Sequence, residues 1–132
     1  NGNGTVGMKN IAGLIVLTAG MAALASPAQA FGLSFDWGPT KKCFDSKSPP
    51  IKLTKVPNGT AKIRFRMIDL NAPNYQHGGG TVSFDGKTSL PYGAFRYTGP
   101  CPPSTHTYQI SAEALDAKGK VLAKAQARKR FP

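Results

Sequence analysis

Acidic residues are scarce in this chain, and so are cysteine, histidine and tryptophan: 132 residues hold 6 Asp and Glu, 2 Cys, 2 His and 1 Trp. No Cys-x-x-Cys pair is present, and the cysteines and histidines fall at unpatterned spacings. Both facts argue against a redox dithiol and against a zinc site. Gly-x-Ser-x-Gly is missing too. His77-Gly78-Gly79-Gly80, similar to the oxyanion loop of esterases, therefore has no nucleophile to serve, and glycines following a strand are expected to permit a bend or bulge. We expect no enzyme, no cofactor and no metal. Beyond the first thirty residues no apolar run is long enough to span a bilayer. Internal repeats, low-complexity linkers and long amphipathic helical patterns are absent as well, which leaves a single domain.

Residues 8–30 have the anatomy of a secretory signal peptide, preceded by leader or vector residues at 1–7. Lys9 supplies the positive start, Ile11 to Leu24 form the apolar run, and Ala28-Gln29-Ala30 give the small-x-small pattern of a cleavage site. A membrane anchor would need a longer run with charge rather than a cleavage signal at its end. Export to a periplasmic or secreted location follows, with residues 31–132 as the mature domain. In an oxidising compartment two thiols in a small domain pair, so Cys43 and Cys101 are expected to form a disulfide. Chain entropy for a loop of that length gives roughly 4 kcal/mol.

From Phe31 onward 16 Lys and Arg face 6 Asp and Glu, a formal charge of +10. Such a surplus attracts anionic headgroups, other anions and acidic proteins through a screened field, although a high pI is also common in small exported proteins. Nucleic acid is not expected, because export separates the chain from it and the basic segment lacks interleaved aromatics for stacking.

Period-two alternation dominates what remains, broken by turn signals at Asn58-Gly59, Asp85-Gly86 and Asp116 to Lys120. This pattern predicts an all-β antiparallel sandwich or barrel. Ile63, Phe65, Met67 and Asp69 share one face of a strand, with Arg64 and Arg66 on the other. His106, Tyr108, Ile110, Ala112 and Ala114 share a face of a second strand. In the last strand Ala123, Ala125 and Ala127 alternate with Lys124, Gln126, Arg128 and Arg130, and Lys129 adds to a crowd of cations.

The parity has a consequence for chemistry. Asp69 closes one strand and His106 opens another, both on the inward face, and an inward polar group must find a partner or line a cavity. A mouth formed by Asp69, His77, His106 and tyrosines is suited to a small anion, held by imidazole and hydroxyl donors. A plain hydrogen bond at a sheet edge satisfies the same parity, and on spacing alone the two readings stay open.

At these residues the chain resembles the phosphatidylethanolamine-binding proteins, particularly the bacterial members called Raf-kinase-inhibitor-like. "CFDSKSPPIKLTKVPNGTAKIRFRMIDLNAP" looks like the family's Cys-containing turn, Ser-Pro-Pro, strand, Val-Pro-x-Gly-Thr, strand and Asp-Pro-Asp-x-Pro motif. "GPCPPSTHTY" looks like its Gly-Pro-x-Pro-Pro loop leading into His-Arg-Tyr. The resemblance covers about Phe35 to Leu122. It implies an antiparallel β-sandwich, reduced in size, with a shallow anion pocket for phosphate or a phospholipid headgroup at one end. By motif position Asp69 opens the aspartate loop, Pro73 closes it and His77 follows it, while Gly99 and Pro100 begin the second loop and His106 and Tyr108 end it. Leu70 and Asn71 depart from the aspartate motif, and Thr107 stands where the family has Arg.

Two functions of different kind follow as expectations. The first is a noncatalytic exported protein binding a small anion among Asp69, His77, His106 and Tyr108. The second is an interaction protein that uses Arg64, Arg66, Lys124, Arg128, Lys129 and Arg130 to meet an anionic membrane surface or an acidic protein without the pocket.

Overall fold

A computed structural model describes residues 2–4, 7, 13–17, 20 and 30–132. Most of the signal peptide expected over 8–30 lies outside the described residues. Among those described no helix is long and apolar enough to cross a membrane.

Seven strands make two antiparallel sheets. β1 (Gly32–Phe35), β2 (Ile51–Thr54) and β5 (Ser89–Leu90) form one, in the order β1-β2-β5. β3 (Lys62–Asp69), β4 (Gly79–Ser83), β6 (His106–Leu115) and β7 (Val121–Phe131) form the other, in the order β4-β3-β6-β7. The architecture is all-β, with no helix among the described residues.

Alternation sets the faces, as the pleat requires. Ile63, Phe65 and Met67 of β3 and Ile110, Ala112 and Ala114 of β6 are buried against Phe35, Ile51 and Leu53 of the smaller sheet. Each large side chain removed from water in this way contributes about 1.5–3 kcal/mol. The pairing Asp69↔Tyr108 through Lys62↔Leu115 fixes β3 against β6, so the end of β3 and the start of β6 lie side by side. Asp116 closes the β6–β7 hairpin by accepting from the amides of Lys118 (2.9 Å) and Lys120 (2.8 Å). Trp37, just past β1, donates its indole N–H to the Arg130 carbonyl at 2.7 Å and thereby fastens the smaller sheet to β7.

The glycine run at 78–80 has a packing reason. A Cβ on Gly79 would stand 1.8 Å from the Phe65 carbonyl oxygen, and one on Gly80 would stand 2.8 Å from Phe95 Cβ. Phe95 in turn stacks on Phe65 at 4.9 Å. The run thus lets β4 lie close to β3 and makes room for an aromatic pair. Gly80→Ala is expected to cost about 2 kcal/mol by overpacking this stack, measured as a shift in the urea midpoint at unchanged slope.

Candidate functional site

The segment after the second turn of the chain is zipped to the segment before β6. Gly99 N donates to Asp45 O (2.9 Å), Tyr97 N to Ser46 O (3.1 Å) and Ser48 N to Phe95 O (3.0 Å). Asp45 is buried and accepts from the Lys47 amide and the Tyr92 hydroxyl. Burial works to raise its carboxyl, but the Tyr92 hydroxyl, the Lys47 amide and the charges of Lys42 and Lys47 override it and hold the group below the usual range. This zipper brings Cys43 and Cys101 together, and they form a disulfide with their Cα atoms 4.6 Å apart.

Beside that disulfide opens a pocket of about 140 Å³. Asp69, His77, His106 and Tyr108 line it, together with Phe44, Ala72, Tyr75, Cys101, Pro102 and Pro103. Asp69 is buried, and His106 donates from Nδ1 to Asp69 Oδ2 at 2.6 Å. The other carboxylate oxygen accepts from the amides of Asn71 (2.9 Å) and Ala72 (3.2 Å), folding the loop after β3 back over its end. Asn71 Oδ1 accepts from the Thr107 amide at 2.7 Å and ties the same loop to β6. Burial works to raise the Asp69 carboxyl, yet donation from His106 and from these two amides wins and holds it below the ordinary carboxylate range. The carboxylate is therefore ionised, and the hydrogen in the pair sits on His106 Nδ1.

His77 is buried and held from both sides: its Nδ1 bonds the Thr98 carbonyl at 2.7 Å, and Thr98 N donates to the His77 carbonyl at 2.8 Å. A carbonyl only accepts, so Nδ1 carries the hydrogen here as well. Tyr108 stands between the imidazoles, with its ring edge-on to His77 at 5.4 Å and tilted to His106 at 6.4 Å. Burial first and the Asp69 carboxylate second push its phenol above the ordinary value, so Tyr108 stays neutral.

The other residues expected at the site lie elsewhere in the fold. Pro73 is exposed and does not line the pocket. Gly99 and Pro100 are buried behind it. A Cβ at Gly99 would come within 2.6 Å of the Asp45 carbonyl oxygen, so that glycine serves the zipper. The imidazoles are not neutral donors to an anion, because each has its Nδ1 hydrogen bonded within the fold; when neutral, Nε2 is an acceptor. Lys129 stands apart from the other cations of its strand. It shares the inward parity of Ala127, opposite Tyr108 in the ladder, and lies 4.0 Å from Asp36.

Arg64, Arg66, Lys124, Arg128 and Arg130 do share the outer face of the four-stranded sheet, and all are exposed. Glu113, on the same face, is contacted by Arg64 at 3.1 Å and Lys124 at 3.9 Å. Arg128 Nε donates to Gln109 at 2.9 Å.

No family model matches the chain, and no curated protein does. Solved structures do match. A phosphatidylethanolamine-binding protein homolog from Chlamydia trachomatis superposes with a TM-score of 0.61 at 17% identity, over 80% of this chain and 99% of its own. E. coli YbcL, described as a member of the mammalian phosphatidylethanolamine-binding family, superposes with a TM-score of 0.61 at 18% identity, over 76% of this chain and 97% of its own. The fold of this chain is therefore phosphatidylethanolamine-binding-protein-like, on a far-diverged sequence.

Sequence reasoning missed Phe44 and Ala72 as lining residues, along with the Asp45–Tyr92 pair behind them. Phe44 had one usable signal: it follows the cysteine expected to pair with Cys101, so it had to arrive beside the second loop. Asp45 and Tyr92 are 47 residues apart, and no local pattern joins them.

Proposed function

We propose that the protein is an exported, noncatalytic binding protein whose pocket takes a small phosphate-bearing anion on His77 and His106. The carrying observation is the use of both Nδ1 atoms by acceptors of the fold, His106 on Asp69 and His77 on Thr98. Nε2 is then the nitrogen each ring offers to a ligand. An imidazolium ring offers its Nε2–H to an anion as a charge-bearing donor. Asp69 stays on the far side of His106 as its counter-charge, which keeps two negative groups from meeting. Export rests on the leader sequence, with which a disulfide is compatible.

The groups facing the two imidazoles are Asp69, Tyr75, Tyr108 and the Thr98 carbonyl; of these Asp69 alone is charged, and it remains so in mild acid. Phosphate and phosphoethanolamine are accordingly expected to contact the two rings at Nε2. Nitrogen-15 NMR of the histidines reports it directly. Unmoved His77 and His106 resonances at millimolar ligand would remove the proposal.

A second reading is favoured by the outer sheet face, where Arg66, Arg128 and Arg130 have no acidic partner within salt-bridge distance among the described residues. It places an anionic lipid surface or an acidic protein on that face. Binding that is lost on reversing Arg128 and Arg130 but survives His106→Ala selects it.

A further inference from the structure

β7 ends the four-stranded sheet, and at 11 residues it is the longest strand of the fold. Three hydrogen bonds fix which way its backbone faces. Thr107, opposite Arg130 in the ladder, gives its own amide to Asn71 Oδ1 (2.7 Å), and its carbonyl accepts from the Leu70 amide (2.8 Å), both on the β3 side. Arg130 correspondingly faces away from β6, and its carbonyl accepts from the Trp37 indole at 2.7 Å. In an antiparallel ladder this orientation repeats every second residue. Lys124, Gln126 and Arg128 therefore present N–H and C=O on the open side of β7, where no hydrogen bond reaches them among the described residues.

Cover over the inner face thins at the same place. Ala123, Ala125 and Ala127 of β7 are half-buried, whereas their ladder partners Ala114, Ala112 and Ile110 on β6 are each 0% exposed. On the outer face Lys124, Arg128 and Arg130 fall at alternate positions of this edge and are exposed. β7 holds no proline, and its register with β6 shifts only at Ala114/Leu115. Cations along an edge deter pairing with apolar or cationic strands. They favour an acidic one, because cross-strand neighbours of opposite charge attract.

From this arrangement we infer that β7 is a docking edge for an extended acidic segment of a partner protein, which adds to it antiparallel as a fifth strand of the sheet. The inference rests on the second reading above for its charge, and adds to it a row of backbone hydrogen bonds. Acidic side chains of the segment stand opposite Lys124, Arg128 and Arg130, and apolar ones opposite the alanines. A second copy of the chain suits the edge less well, because pairing about Gln126 sets each Lys124 against an Arg128. A bilayer supplies anions but no donors and acceptors in strand register.

The test uses two peptides of about eight residues that alternate glutamate with valine, one methylated on the valine backbone nitrogens and the other on those of the glutamates. Glutamates opposite the edge cations turn their own N–H groups toward β7, so only the second peptide is blocked. With the first, the amides of Lys124, Gln126 and Arg128 are expected to shift in nitrogen-15 NMR and to exchange hydrogen about tenfold more slowly. The second carries the same charge and is expected to leave them unmoved. Gln126→Pro removes an outward N–H that an edge strand can lose without unfolding, and is expected to weaken binding of the first peptide about tenfold. Equal binding of both peptides, indifferent to Gln126→Pro but lost on reversing Arg128 and Arg130, overturns the docking edge and leaves the charged face standing. A dimer in sedimentation that Gln126→Pro dissolves overturns it as well, since a second copy then holds the edge. Binding of neither peptide also overturns it; the face reading is then judged on phosphatidylglycerol vesicles, which need no strand.

Discussion

Asp69→Ala is expected to lower unfolding stability by about 3 kcal/mol at pH 7, toward the low end of the cost of breaking a buried pair. One carboxylate holds three donors: His106 Nδ1 and the amides of Asn71 and Ala72. Removing it leaves His106 without a partner and opens the loop after β3. The cost is kept from being larger because the His106 side chain keeps some contact with water. The pH dependence gives an internal check. Asp69 is held below the ordinary carboxylate range in the folded protein. A carboxylate lowered in this way stabilises the fold fully above its unfolded value, and that contribution is lost as pH falls through the folded one. The gap between wild type and Asp69→Ala should therefore be widest near neutrality and narrow below about pH 4. Urea midpoints at several pH values measure it. A gap that is constant with pH would mean that the carboxylate's charge contributes nothing.

Asp69→Asn separates charge from shape at the same place. The amide oxygen can still accept from Asn71 and Ala72, but its nitrogen then faces His106 Nδ1, donor against donor. The ring relieves the clash by moving its hydrogen to Nε2. We expect a smaller stability cost, about 1 kcal/mol, and a pocket that presents a donor even when the imidazole is neutral. Phosphate should then meet an Nε2–H donor on His106 in the variant, and nitrogen-15 NMR should show the exchanged tautomer at His106.

How much of this was legible before the structure depends on distance along the chain. Alternation put Ile63, Phe65, Met67 and Asp69 on one face, and the ladders keep them there, because a one-residue slip would turn all four to solvent. The same parity brought His106 and Tyr108 inward, and antiparallel pairing of β3 with β6 then made Asp69 and His106 neighbours. The tautomers were not legible. They depend on which acceptor reaches each Nδ1, and Thr98 meets His77 only through the zipper of residues 45–48 with 93–99. Lys129 is grouped with Arg128 and Arg130 by composition, while strict period two places it on the parity of the alanines. The motif resemblance carried Gly99 and Pro100 into the site; in the fold both are buried, and Gly99 lies against the Asp45 backbone.

Replacing Cys43 and Cys101 together by serine is expected to have the largest effect on the folded state, about 4 kcal/mol, chiefly by releasing a 58-residue separation in the unfolded chain. For a domain near 100 residues this corresponds to a fall in melting temperature of roughly 15–30 °C. It is a large share of the 5–15 kcal/mol that such domains possess in total. The sheets should nevertheless survive at low temperature, since neither cysteine lies in a strand and the core residues of β3 and β6 are untouched. What loosens first is the pocket wall, because Phe44 on one side and Pro102 and Pro103 on the other are joined through that bond. Hydrogen exchange should therefore rise at the amides of residues 43, 44, 101, 104 and 105 under conditions where the amides of Phe65 and Ile110 remain protected. A double serine variant that melts within a few degrees of wild type would mean that the zipper from Asp45 to Gly99 closes this loop without help. Uniform loss of protection across β3 and β6 would mean instead that wall and sandwich form one cooperative unit, and that the rim cannot move independently of the core.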